Sequence, residues 1–116
     1  MKILHAITSI EKGGAENHLA SLAKIQKDNH FDVNIFYTTK SDYWKSFYAT
    51  NGIRVHKSCY VLRANLISKL IKFYSDIIEL IEINKKFKPD VIHAHLPYME
   101  LVVFFSSFFI SHKFKF

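Results

Sequence analysis

The sequence holds few of the residues that build ready-made chemistry. Its 116 residues include a single cysteine, Cys59. One cysteine cannot close an internal disulfide or build a metal cluster, so a disulfide scaffold is excluded, and Cys59 reads as core filler in a reducing compartment. Glycine occurs three times, and two of the three are the adjacent pair Gly13-Gly14. No G-x-G-x-x-G is present, and no Gly-Lys-Ser/Thr follows the pair. The dinucleotide fingerprint and the P-loop are therefore both excluded. Long apolar runs are missing too. Leu101 to Ile110 is broken by Ser106-Ser107 and falls far short of the roughly 20 residues of a spanning helix. Met1-Lys2 leads into Ile3-Leu4-His5-Ala6-Ile7, only a strand's length of apolar residues, so no signal peptide is expected. The expected location is cytoplasmic, with peripheral contact at the inner face of the cell membrane left open.

What is present is a folding chain. Hydrophobic residues make up 49% of it, too many for a disordered segment, and the length suits one small domain. The net charge is +6, mostly from lysine. Such a balance gives either a solvated lysine-rich surface or an attraction to anions such as nucleotide phosphates, nucleic acid or acidic lipid.

The hydrophobic pattern alternates between two periods. Lys2 to Thr8 is almost continuously apolar, as a central parallel strand buried on both faces should be. From Ala15, the positions Ala15, Leu19, Leu22 and Ala23 share one helical face, and Asn29-His30 ends that helix. Phe31 to Thr38 reads as a second strand. Ser41 or Asp42 can cap a short helix through Ala49, Asn51-Gly52 marks a turn, and Ile53 to His56 is a third strand. Ala64 to Phe87 carries apolar residues at helical spacing: Leu66, Ile67, Leu70, Ile71, Tyr74, Ile77, Ile78 and Ile81. Lys85-Lys86 complement its dipole and Pro89 stops it. Val91 to Leu96 is a fourth strand, and a helix can start near Pro97. Strictly alternating strands and helices imply a three-layer α/β, Rossmann-like domain with a mostly parallel sheet in the order 3-2-1-4. In that order the ligand crevice lies outside the C-terminal ends of strands one and four.

Several residues fall at that crevice. Gly13-Gly14 sits where strand one turns into helix one. The pair can let the backbone approach a ligand and take up positive φ, with helix N–H groups behind it to favour a phosphate; an ordinary tight turn is the alternative. Glu16 in the first helical turn is explained by the helix dipole alone. His93 and His95 are two apart on strand four and share a side. His95, at the strand's end, can bond a substrate hydroxyl or phosphate or move a proton. It can equally be a packed core histidine, and a zinc reading needs a third ligand that nothing nearby in sequence offers. His5 reads as structural. Lys69 and Lys72 flank the stripe of the long helix, which either lies on an anionic membrane or faces the core with a solvated rim.

Two segments carry a resemblance. Lys2-Ile3-Leu4-His5-Ala6-Ile7-Thr8-Ser9-Ile10-Glu11-Lys12-Gly13-Gly14-Ala15-Glu16-Asn17-His18 resembles the start of the fourth group of retaining glycosyltransferases, where a strand and short loop lead to Gly-Gly-Ala-Glu opening a helix. Lys88-Pro89-Asp90-Val91-Ile92-His93-Ala94-His95-Leu96-Pro97 resembles the same family's fourth strand. The resemblance covers most of residues 1–100 and implies a GT-B arrangement, two Rossmann-like domains facing a cleft. The N-terminal domain would chiefly bind the acceptor and the C-terminal domain most of a nucleotide-sugar donor. It implies His95 as the catalytic residue contacting the transferred sugar, Gly13, Gly14 and Glu16 as substrate- or phosphate-binding, and no metal or cofactor beyond the donor substrate. The implied partners are a nucleotide-sugar and a glycan or lipid-linked acceptor, with no nucleic acid. The family's Glu-x7-Glu motif is absent, and Phe104 to Phe116 does not resemble the family's continuation. The expectation is therefore a partial family domain over 1–103, an aberrant Phe/Lys-rich tail over 104–116 from a frameshift or premature stop, and little catalysis by this chain alone. A binding module that pairs with a separate C-terminal half is the alternative.

Overall fold

A computed structural model describes residues 1–39, 42–58 and 65–116. Ser41, Cys59 and Ala64, for which roles were expected above, lie outside the described residues. The elements run β1 (Lys2–Ile7), α1 (Gly14–Asp28), β2 (Asp32–Tyr37), α2 (Lys45–Thr50), β3 (Arg54–Lys57), α3 (Leu66–Phe87), β4 (Val91–Ala94) and α4 (Pro97–Ser107). All strand pairs are parallel, and the sheet order is β3-β2-β1-β4. The expected 3-2-1-4 order is thus the observed one, and β1 lies at the centre because its run of apolar residues can be buried from both sides.

Each sheet face has its own core. Leu4, Ala6, Phe36 and Ile92 meet Ile77, Leu80 and Ile83 of α3 and Met99, Val102 and Val103 of α4. Ile7, Val33, Ile35 and Tyr37 meet Leu19, Ala20 and Ala23 of α1, with Tyr48 of α2 and Ile53 beside them. Each fully buried aliphatic side chain contributes about 1.5–3 kcal/mol, so two such clusters clamp the sheet between the helix layers. β2 buries Val33 through Tyr37 without a break. It does not alternate between exposed and buried residues, since helices cover both its faces.

The long helix α3 departs from the expectation of a core-facing apolar stripe. Leu66, Ile67, Leu70, Ile71, Tyr74 and Ile78 are exposed, while Ser68, Lys72, Asp76 and Asn84 are buried. The physical reason is a buried polar network. Lys72 Nζ donates to the Thr38 carbonyl at 2.9 Å, Ser58 Oγ donates to Asp76 at 2.7 Å, and Tyr98 OH donates to the same carboxylate. These bonds turn the N-terminal half of α3 polar side inward. Lys72 is therefore an internal cation, not part of a solvated rim. Below Asp76, Leu80 and Ile83 face inward beside the buried Asn84.

The C-terminal segment is part of the fold. α4 runs through residue 103, where a boundary was expected, to Ser107. Phe114 packs on the α3–α4 core, and Lys115 bridges Val91, its carbonyl accepting from Ile92 N at 2.9 Å. The otherwise unpaired edge of β4 is thereby partly covered.

Candidate functional site at the carboxyl end of the sheet

Parallel strands carry all their C-terminal ends to one side, and the expected site residues follow from that. β4 ends at Ala94, and His95 comes next. The His95 backbone N–H donates to the Ala6 carbonyl at 2.8 Å, so the residue is held against β1 beyond the formal end of its strand. The adjacent Leu96 has φ 76° and ψ 148°. That region is nearly restricted to glycine, and a leucine there stores about 1–3 kcal/mol of strain. α4 then starts at Pro97, whose fixed φ suits a first helical position.

The register of β1 on β4 sets His5 opposite His93. Both share the α1 side of the sheet with His95. The His5 and His95 rings are 5.2 Å apart between centroids, and those of His93 and His95 are 4.1 Å apart. His5 is fully buried. Its Nε2–H donates to Gln26 Oε1 of α1 at 2.7 Å, which leaves Nδ1 to accept from His95 Nε2–H at 3.0 Å. Gln26, His5 and His95 thus form one hydrogen-bonded chain from α1 to the end of β4. Burial pushes His5 down to about 4, against the opposing effect of the Gln26 bond and with help from His93. Burial also pushes His95 down to about 4, followed by the influence of His93, His5 and His18. Both rings are neutral at pH 7. With its Nε2–H given to His5, a neutral His95 keeps Nδ1 to accept a hydrogen bond from a substrate hydroxyl, without an ionic attraction to it.

The third histidine was missed in the sequence. His5 was read as structural and a third ligand was sought only nearby in sequence. The signal existed: if strands one and four are neighbours, His5 and His93 stand side by side.

The glycine pair does not take up the positive φ that was one of its expected uses. Gly13 is extended, with φ −172° and ψ 177°, and among the described glycines only Gly52 has positive φ. What Gly13 permits is a close approach. A Cβ there would lie 2.7 Å from Glu16 Oε2, so the Glu16 carboxylate folds back over the turn, where it accepts from Ser9 Oγ at 3.3 Å. Gly14 opens α1, and a Cβ on it would meet open space. No side chain caps α1, so its first N–H groups remain available to an acceptor. Glu16 itself, a carboxylate, suits a hydroxyl donor and repels a phosphate.

One cavity, of about 460 Å³, lies elsewhere, between β2, β3 and the C-terminal end of α3, with Asn34, Arg54, His56, Glu82 and Lys86 in its wall. It contains none of the expected site residues.

The profile of Glycosyltransferase Family 4 matches residues 12–109. The chain belongs to Glycosyltransferase Family 4. Among solved structures, the lipopolysaccharide outer core galactosyltransferase WaaB in its apo form superposes with a TM-score of 0.74 over 98% of this chain, at 13% identity. The UDP-GlcNAc 2-epimerase of Neisseria meningitidis, bound to UDP-GlcNAc, superposes with a TM-score of 0.66 over 94% of this chain, at 16% identity. At those identities the likeness shows the fold, a Rossmann-like α/β layer of GT-B type. The chain spans 31% of the galactosyltransferase and 30% of the epimerase. No curated protein matches the sequence. No described helix is long and apolar enough to cross a membrane.

Proposed function

We propose that this Family 4 chain is the acceptor-side domain of a retaining glycosyltransferase that moves a sugar from a nucleotide donor to a glycan or lipid-linked acceptor in polysaccharide assembly. The observation that carries the reading is His95, held by its backbone to β1 at the carboxyl end of the sheet and followed by a strained Leu96, in a chain of this family. In the reaction the bond from the anomeric carbon to the donor phosphate oxygen breaks, the acceptor oxygen bonds to that carbon on the same face, and the nucleoside diphosphate leaves with the acceptor hydroxyl's proton. His95 would touch the transferred sugar. The uncapped N–H groups at the start of α1, behind Gly13 and Gly14, would face the departing diphosphate, where a fixed positive dipole stabilises developing charge. Glu16 would accept from a sugar or acceptor hydroxyl, as it does from Ser9. A lipid-linked acceptor would bring the exposed apolar side of α3, with Lys69 beside it, to the cytoplasmic face of a membrane.

The chain alone is expected to be inactive, because most of the donor would be held by a second domain. In a transfer assay with labelled nucleotide-sugars, the purified 116-residue chain should give no product. The same chain joined to the C-terminal domain of a Family 4 enzyme should give product, and His95→Ala should reduce its rate at least 100-fold. Turnover by the chain alone would overturn the division of labour; an unaffected His95→Ala enzyme would overturn the site. A binding module paired with a separately encoded half is the second reading. A second polypeptide co-purifying with the chain and restoring transfer would select it.

A further inference from the structure

His5 is an expensive residue for its position. It is fully buried in the middle of β1, where an aliphatic side chain would pack without any polar group to satisfy. Its partners give it a directed lone pair. Gln26 Oε1 takes the Nε2 proton at 2.7 Å, so Nδ1 is bare and points at His95 Nε2, 3.0 Å away. Strand pairing adds His93 directly opposite. One ligand nitrogen from each of the three rings lies within 4.8 Å of those from the other two.

These are the components of a three-imidazole metal site. A zinc ion held at about 2.0–2.1 Å in tetrahedral geometry sets its nitrogens roughly 3.4 Å apart. The His5–His95 separation is already shorter than that. The remaining closure falls to His93, which is solvent-exposed and whose ring already lies against those of His5 and His95. Histidine ligands characteristically donate their other ring N–H to an oxygen that fixes tautomer and orientation, and Gln26 stands in that relation to His5. His95 would bind as its other tautomer, proton on Nδ1 and lone pair on Nε2, so no proton need leave the site. The exposure of His93 leaves a fourth position open to water.

We propose that His5, through Nδ1, together with His93 and His95 binds one zinc ion, with water as the fourth ligand. The site goes beyond sugar transfer and does not rest on it. The ion and a sugar would compete for the His95 ring, so zinc would act on the domain as an inhibitor of that contact.

The test uses the untagged 116-residue chain, stripped with a chelator. It is titrated with zinc against a chromophoric chelator, and separately with cobalt(II) as a spectroscopic probe. One equivalent should bind, cobalt should give the visible bands of a four-coordinate ion, and zinc should discharge them. His93→Ala should weaken binding at least 10-fold with an unchanged circular dichroism spectrum; His93→Gln serves the same purpose should the alanine variant lose structure. Gln26→Leu should weaken it by about 10-fold through loss of the orienting oxygen. His30→Asn, outside the cluster, should change nothing. A folded chain that takes up no stoichiometric zinc overturns the proposal, and so does binding that survives both His93 substitutions undiminished.

Discussion

Replacing Asp76 should be among the most damaging single changes this domain can suffer. The residue is wholly buried on α3, and its carboxylate is the shared acceptor for Ser58 Oγ at 2.7 Å, Tyr98 OH, and Lys72 Nζ at 3.4 Å. Lys72 is itself buried, and its other bond is to the Thr38 carbonyl. Asp76→Ala leaves an ammonium in the interior without its counter-charge, which costs about 3–5 kcal/mol. Two hydroxyls lose their acceptor at the same time, each a further penalty of roughly 1–3 kcal/mol that does not simply add. Against a typical domain stability of about 5–15 kcal/mol, most of the margin goes. Lys72→Met strands the buried Asp76 carboxylate in its turn, and with both hydroxyl donors retained it should cost about 3 kcal/mol, the low end for a broken buried pair. On that background Asp76→Ala should cost at least 1 kcal/mol less than in the native chain, since no charge is stranded. Urea unfolding followed by far-ultraviolet circular dichroism measures all four corners of the cycle. A cost below about 1 kcal/mol for Asp76→Ala, or a coupling of zero, would refute the network as described.

His5 titrates near 4 in the folded chain and at its ordinary value of about 6.5 when unfolded. The unfolded chain therefore binds more protons between those limits, and the associated stability is complete above pH 6.5 and lost as pH falls towards 4. For this buried ring the gap is worth about 3 kcal/mol, with His95 titrating alongside it as a coupled partner; urea midpoints that are equal at pH 7 and pH 5 would contradict the assignment. Leu96→Gly should leave stability unchanged or raise it by about 1 kcal/mol, because relief of strain at φ 76° outweighs the roughly 0.5–1 kcal/mol of added chain freedom. A loss above 1 kcal/mol by thermal or urea unfolding would say the backbone is not strained there. Leu70→Glu, at a side chain 60% exposed, should cost under about 0.5 kcal/mol, whereas Leu80→Ala in the core should cost about 2–5 kcal/mol; similar costs would restore the core-facing stripe.

The strand order was legible because it follows from alternation, crossover handedness and one glycine turn, all properties of neighbouring residues. The position of His95 followed from the strand order. The orientation of α3 was not legible, since its apolar spacing fits either side of the helix. What decides between them is whether Lys72 and Asp76 find partners, and those partners are Thr38, Ser58 and Tyr98, at sequence distances of 18 to 34 residues. His5 was hidden for the same reason. A lone histidine in an apolar strand looks structural until β1 and β4 are paired in register. For Gly13 only the positive φ is corrected: the residue is extended, and the Glu16 carboxylate lies close over it.

Both buried polar systems lie at the same end of the sheet, and they converge on one residue. On the α1 side, Gln26 and His5 fix the His95 ring. On the other side, Asp76 holds Tyr98 near the start of α4, and the start of α4 is joined to His95 through Leu96 alone. A leucine in a glycine-type conformation persists only where the flanking structure over-determines it. Here the flanks are the His95 N–H bonded to Ala6 on one side and Tyr98 bonded to Asp76 on the other. Internal charges and neutral imidazoles cost stability that leucines would supply, and such costs gather where a fold must hold a side chain in one place. At the opposite end of the sheet Leu80 and Ile83 of α3 close the core with aliphatic contacts. The two polar networks at the carboxyl end thus converge on His95, while Asn84, buried farther along α3, belongs to neither.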